Sequence, residues 1–480
     1  MRYTLDIAMK ILLINTNRYT SPFPVIPLGA CMIAEAAEKA GHSVRFLDFM
    51  FQSSPLTALQ QALKADRFDV VGLSLRNIDN NDMYNPIFFL EDVPSLVKSV
   101  RNHSDADIVI GGAAVGVMPE EILRFSGADY AAPGDGELLL PEILSGIEKG
   151  ERTCPGAGSI TDDVYRYHDR RPAGSTLCTV PDFRRWIDLR SYQSRFATVP
   201  LQTKIGCRFK CVYCTYRKIE GEDYRLCPPQ HVAEQVMRLS SEGLNEIEFV
   251  DNVFNAPYEH ALEICSLLKN GRRSTRLISL ELNPHLIDDA LLNAMEQAGF
   301  AGMGITAESA SENVLHKLRK PFDAGDVLKA ASTVRKHNIP CVWIFLLGGP
   351  GETVESVEQT LSFAERQIRP ADAVFFNVGV RIYPGTELET IAREQGILNV
   401  SPAEMLRPVF YLSPNLDPGW LSARMRSFMQ THMNVINSAS LGVPFLPYIQ
   451  RIAYRLGVKA PLWRHTSVIR RILKYSGIYS

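Results

Sequence analysis

Three cysteines, Cys207, Cys211 and Cys214, fall within one eight-residue stretch at spacings of four and three. Thiolates so placed on one loop can each take a separate iron of a [4Fe-4S] cube, and three donors leave the fourth iron open. An open iron is a reaction site, whereas a purely structural cluster benefits from a fourth protein ligand. A structural zinc site usually joins two half-sites, and the sequence has no second Cys-x-x-Cys or closely spaced His pair to complete one. The nine cysteines are odd in number and unevenly placed, which argues for reduced thiols over a disulfide framework. Cys227, a little further on, reads as a structural or incidental cysteine.

The loop must be held by something, and the strand-like runs on either side say what. Up to residue 150, Lys10 to Asn15, Ser43 to Asp48, Asp69 to Ser74, Asp107 to Gly112 and Ala128 to Ala132 are short and rich in β-formers. Helix-length segments such as Leu28 to Ala40 separate them, so a doubly wound, mostly parallel sheet is expected over residues 1–150. Residues ahead of Met9 read as an extension without function. Residues 151–192, richer in Pro, Gly, Ser and Arg, read as a connector. A second series follows over 193–415, with strands expected at Thr198 to Lys204, Glu246 to Asp251, Leu277 to Leu282, Gly302 to Thr306, Pro340 to Leu347 and Ala373 to Val380. Six βα units suit a partial (β/α)6 barrel with its chemistry at the strand C-terminal ends.

The chain has 480 residues, 46% hydrophobic and 22% charged, with a formal net charge of -2. That excludes a disordered or fibrous protein and gives no electrostatic case for nucleic acid. No apolar run reaches a membrane span and no signal-peptide layout opens the chain, so the expected compartment is the cytoplasm. The last region, 416–480, differs: after Asp417 there is no acidic residue, against nine basic ones from Arg424 to Lys474. Apolar Phe445, Leu446, Ile449, Leu456, Trp463, Ile469 and Leu473 interleave with them. The bland reading is a helical cap with a solvated basic face; the alternative is peripheral contact through 443–480 with anionic lipid, at the inner membrane surface, or with an acidic partner.

Cys-x-x-x-Cys-x-Tyr-Cys after the first strand of a βα series resembles the radical S-adenosylmethionine superfamily. The resemblance implies that Cys207, Cys211 and Cys214 hold the cluster. The open iron would chelate S-adenosylmethionine, whose reductive cleavage gives a 5'-deoxyadenosyl radical, with flavodoxin or ferredoxin as the reducing partner. It also implies an aromatic near the adenine at Tyr213 and a ribose-binding carboxylate at Glu308, in Gly304-Ile-Thr-Ala-Glu-Ser309, which carries one inserted residue. Gly349 falls in the ligand-side turn Gly348-Gly-Pro-Gly-Glu-Thr353. Asp251 with Asn252, and Glu281 with Asn283, end the second and third strands as cofactor-side polars.

The front region resembles the cobalamin-binding domain that precedes many of these enzymes. Gly29 in Pro27-Leu-Gly29, Gly41, Gly111 and Gly112, Pro119-Glu-Glu121, and Gly134 with Glu137 in Gly134-Asp-Gly-Glu137 fall in its order. The resemblance implies that these glycines let backbone approach a flat macrocycle. No Asp-x-His-x-x-Gly is present to supply an axial imidazole. Ala113 and Ala114 replace a frequent Pro-His pair, and Arg76, Asn77, Asp79, Asn80 and Asp82 crowd the third strand's end.

Together these imply an α/β radical enzyme with a [4Fe-4S] cluster, S-adenosylmethionine and cobalamin that C-methylates an unactivated carbon of a small-molecule or lipid-like substrate. The alternatives are a radical dehydratase, cyclase or rearrangement enzyme with a vestigial front domain, and a non-enzymatic scaffold with a structural cluster.

Overall fold

The computed structural model describes residues 8–151, 154, 156–167, 178–269, 274–437 and 441–475. The extension ahead of Met9, save Ala8, lies outside them. In the front half β1 (Lys10–Asn15), β2 (Ser43–Asp48), β3 (Val70–Ser74), β4 (Asp107–Gly111) and β5 (Tyr130–Ala132) run parallel in the order β2-β1-β3-β4-β5. Their near-continuous apolar runs suit strands buried on both faces by helices. The order reverses between β1 and β3, and ligands of such sheets sit in the crevice beyond the strand C-termini at that point. Within the stretch expected as a connector, β6 (Gly158–Thr161) and β7 (Val164–Tyr167) add an antiparallel hairpin beside β5. Alternation there is too short to register against its turn and loop neighbours.

The second half opens with β8 (Val199–Leu201), β9 (Lys204–Ile205) and β10 (Arg225–Leu226). It continues with β11 (Glu246–Phe249), β12 (Arg276–Leu282), β13 (Phe300–Glu308), β14 (Cys341–Leu347) and β15 (Ala373–Val378), then β16 (Val380–Arg381), β17 (Phe410–Tyr411) and β18 (Val435–Ile436). Seven of these form one parallel sheet in the order β8-β11-β12-β13-β14-β15-β18, with β9 paired to β10 and β16 to β17. The expected first strand, Thr198 to Lys204, splits into β8 and β9. A seventh strand, β18, comes from the region read as helical and pairs with β15.

The C-terminal region does more than cap. Ala460, Leu462 and Trp463 are buried with Ile278 and Val342 on the face of the second sheet turned away from its helices. A side-chain carbon at Gly302 would lie 2.8 Å from Pro461. Arg470, counted among the solvated cations, is fully buried: its guanidinium donates to the carbonyls of Met429 (2.9 Å), Met433 (3.1 Å) and Val435 (2.5 Å). It satisfies the end of helix Pro418–Thr431, where a cation also complements the helix dipole.

The two halves share their cores. Leu13, Ile26, Ala34 and Met50 of the front half pack with Trp186 and Tyr192 of the connector and Leu201 of the second half. The expectation of reduced thiols is corrected at one place: Cys178 and Cys227 form a disulfide, their Cα atoms 5.5 Å apart, 49 residues apart in sequence. Spacing gave no sign of it because loops and β10 bring the two together.

Gly112 is required by the front fold itself. It sits at φ +98°, and a side-chain carbon would lie 2.5 Å from the Leu75 carbonyl oxygen. Gly112→Ala should therefore lower unfolding free energy by about 2 kcal/mol in urea titration; a loss under about 0.5 kcal/mol would show that the backbone there can relax.

Candidate active site

The cysteine loop is fixed without help from sulfur. Gly206, at φ +96°, turns the chain out of β9, where a side chain would strike the Asp223 carbonyl. Its N–H donates to Glu220 Oε2 (3.0 Å), which also accepts from Asn252 Nδ2 (2.6 Å). Val212 is buried; its N–H donates to the Leu318 carbonyl (3.2 Å) and its carbonyl accepts from Leu388 (2.9 Å). The following helix, Tyr216–Glu220, leans on the front half: Ile219 approaches Gly116, and Lys218 Nζ donates to the Val117 carbonyl (2.9 Å). The small residues of helix Ala113–Val117 thus let the loop dock near the ligand edge of the front sheet.

Burial pushes the Cys214 thiol up to about 12, with Cys211 and Cys207 close enough to raise it further. Cys207 is likewise raised by burial. Metal binding overrides such shifts, because a coordinating thiol is deprotonated outright. Among the described residues no three His, Cys, Asp or Glu side chains converge as a mononuclear metal site would require. A cube, whose thiolates each take a separate iron, fits three mutually sensing cysteines on one loop.

Tyr213 of this loop meets Glu308 and Lys320. Tyr213 donates its hydroxyl to Glu308, and Lys320 Nζ bonds Glu308 Oε1 (3.0 Å) and the Tyr213 oxygen (3.2 Å). Burial, then the Glu308 charge, drives the Tyr213 hydroxyl well up; for Lys320 burial pulls down but Glu308 and Tyr213 outweigh it and hold the ammonium charged. The residue inserted ahead of Glu308 is absorbed as a bulge where β13 slips against β14. Glu308 itself adopts φ +61°, an uncommon conformation for a non-glycine and one that clusters at functional sites. Lys320 has no sequence signature; it arrives on the loop after helix Glu312–Lys317.

Glu281, on β12, is half-buried and accepts from Thr306 Oγ1 (3.3 Å). Burial, then the nearby Glu308 charge, pushes its carboxyl up to about 8. Its proton is therefore bound more tightly in the folded chain, and the group costs stability as pH rises from the ordinary carboxylate range through about 8. Glu281→Gln should gain about 3 kcal/mol relative to wild type between pH 5.5 and 8.5, read from urea unfolding at both. A pH-independent difference would place Glu281 in a solvated setting.

The other expected site residues separate. Asp251, fully buried, is saturated by the Thr203 N–H (2.7 Å), Thr203 hydroxyl (2.6 Å) and Lys204 Nζ (3.1 Å), locking β9 to the end of β11. Asn283 caps the turn Pro284–Leu286 through the His285 N–H (2.9 Å). In the Gly348 turn, Gly348 and Gly351 have positive φ and Gly349 packs against Leu318. Glu352, raised to about 7 by burial, accepts from Ser356 Oγ (2.5 Å).

A cavity of about 930 Å³ lies between the halves. Thr16, Asn17, Arg76 and Asn77, beyond β1 and β3 at the order reversal, line one side; Thr198, Glu248 and Leu280 line the other. Gly29, Gly111, Gly112, Gly134 and Glu137 do not line it. Gly29 has open space around it, Gly111 faces Ala132, and Gly134 packs on Leu139. Burial raises the Glu137 carboxyl, and its neighbour Asp135 accepts both guanidinium nitrogens of Arg225, joining the halves. The polar cluster after β3 was legible as composition; its partners Glu248 and Arg381 were not.

Residues 15–144 match the B12 binding domain and residues 202–364 the Radical SAM superfamily. An uncharacterized methyltransferase of Pyrococcus horikoshii is 25% identical over 404 residues, 81% of this chain and 84% of that protein. The tryptophan 2-C-methyltransferase of Streptomyces laurentii is 21% identical over 451 residues, 80% of this chain and 74% of its own length. In three dimensions the chain is similar to the radical S-adenosylmethionine methyltransferase TsrM from Kitasatospora setae with cobalamin and a [4Fe-4S] cluster bound, at TM-score 0.85 and 21% identity, covering 98% and 99% of the two chains. The same protein with tryptophan and the analogue aza-SAM gives TM-score 0.84. The protein therefore carries a B12 binding domain followed by a Radical SAM superfamily domain, in a TsrM-like fold.

Proposed function

We propose that the chain is a cobalamin-dependent radical S-adenosylmethionine methyltransferase that places a methyl group on a carbon of a small-molecule substrate. The observation that carries this is the joint cavity: the front sheet's ligand crevice and the second parallel sheet open into one space of about 930 Å³. The methyltransferase names of the relatives support it.

When bound, the cluster with S-adenosylmethionine supplies one-electron sulfonium cleavage, and cobalamin supplies a methyl carrier. This chain's residues do the rest. Cys207, Cys211 and Cys214 hold three irons. Tyr213 offers a ring face to the adenine and Glu308 a carboxylate to the ribose hydroxyls, with Lys320 fixing both side chains. The glycine turn around Gly349 lets the chain's own backbone approach the ligand. Glu281, largely protonated at neutral pH, adds no full negative charge beside Glu308. Thr16, Asn17, Arg76 and Asn77 present hydrogen-bonding groups at the crevice, matched to cobalamin's amide rim. The apolar remainder of the cavity excludes water from reactive species. Electrons would come from flavodoxin or ferredoxin in the cytoplasm.

The test is anaerobic reconstitution with iron, sulfide and cobalamin, followed by cobalt analysis and mass spectrometry of products from cell extract. About one cobalt per chain and a product heavier by one methylene support methylation. Cobalt under about a tenth of an equivalent overturns it, and loss of water from the product moves the assignment to a dehydratase.

A further inference from the structure

The C-terminal helices Leu446–Arg455 and Thr466–Tyr475 each carry two apolar faces, and packing explains one. Ile449 and Ala453, and likewise Ile469 and Leu473, turn inward onto the cluster containing Leu446 and Trp463. A second set turns outward: Tyr448 and Ile452 on the first helix, Leu456 just beyond it at 77% exposure, and Val468 and Ile472 on the second at 54% and 62%. A helix hydrophobic on its solvent side is out of keeping with a solvated cap. Around these side chains lie exposed Arg451, Arg455, Lys459, Arg471 and Lys474, in a region with no acidic residue after Asp417. Apolar side chains projecting beyond a ring of cations, with no acid to repel phosphate, match the interface of an anionic bilayer.

The same helix borders the cavity. Gln450 Nε2 donates to the Pro22 carbonyl (2.7 Å), and Phe196, which lines the cavity, meets the Tyr454 ring edge-on at 6.4 Å. Ser21 and Pro22 line both the large cavity and an adjoining cleft walled by Phe445, Leu446 and Arg451.

We propose that the outward face of these two helices docks on an anionic lipid bilayer and sets the rim of the interdomain cavity at its headgroups, so that an amphiphilic, membrane-resident substrate enters from the lipid. The entry route rests on the proposed function; the docking does not. The assay reads binding without turnover, so the two can fail separately.

Flotation of the full chain with phosphatidylcholine vesicles, with and without about one third phosphatidylglycerol, tests the docking. Binding should be at least roughly tenfold greater with the anionic lipid and fall with salt. It should drop by a similar factor in an Arg451→Gln, Arg455→Gln, Lys459→Gln, Lys474→Gln variant and in an Ile452→Ser, Ile472→Ser variant. All six positions are away from the cluster, so iron content should stay unchanged and report intact folding. Tryptophans introduced as Leu456→Trp and as Val25→Trp, at an exposed residue of the cavity lining, should be quenched by brominated lipid, and Val164→Trp, on the front hairpin, should not. Equal flotation with both vesicle types, or undiminished binding by the variants, overturns the docking. An unquenched Val25→Trp overturns the placement of the rim. A dimer that dissociates in the Ile452→Ser, Ile472→Ser variant and does not float assigns the face to a second copy of the chain instead.

Discussion

With Cys207, Cys211 and Cys214 all changed to alanine, reconstituted protein should hold less than about 0.4 iron per chain where wild type holds about four. Product formation should fall at least about 10³-fold, since the open iron is the group on which sulfonium cleavage depends. The fold should survive the change. Val212 stays buried and tied to Leu318 and Leu388, and Gly206 is held by Glu220, which Asn252 supports. None of these ties uses a sulfur atom. Iron and sulfide analysis, electron paramagnetic resonance of the reduced protein and far-ultraviolet circular dichroism separate loss of the cluster from loss of structure. Four irons retained in the triple variant would mean that other ligands bind the cluster, and the proposed function would fall with the site.

Arg381→Ala should lower unfolding free energy by about 3–5 kcal/mol, because it leaves a buried charge without a partner. Arg381, the last residue of β16, is buried and donates to Asp79 Oδ2 (2.8 Å) and to the carbonyls of Ile382 (2.5 Å) and Met405 (2.7 Å). Asp79 belongs to the front half and is itself buried. Removing the arginine strands one carboxylate and frees carbonyls at the contact between the halves. The exposed interdomain pair Arg407–Glu91 (2.5 Å) is the control: Arg407→Ala should cost less than about 1 kcal/mol, as exposed ion pairs do. Urea unfolding with matched slopes reads both. If the two variants cost the same, the buried pair does not fix the two halves together.

The parallel sheets were legible because each strand is a short local run of β-formers. β1 and β2 match their expected bounds to the residue, and β14 and β15 fall within one or two residues of theirs at most ends. The pairing of β18 with β15 and the hairpin β6–β7 were not legible, since two to four residues give no usable period. The charge run after Asp417 read as surface, yet Arg470 serves carbonyls inside. Composition counts charges without saying which one a helix end will draw in.

The amino-acid order alone determined the spacing of the three loop cysteines and the βα succession, because these depend on neighbours along the chain. Tertiary structure decided what surrounds them: Lys320 set on Glu308, Asp251 turned inward to Thr203 and Lys204, and a crevice faced by Glu248 from the other half. Those contacts join residues 12 positions apart for Lys320 and Glu308, 47 and 48 for Asp251 with Lys204 and Thr203, and further still between the halves; their energies come from burial, which no local spacing encodes.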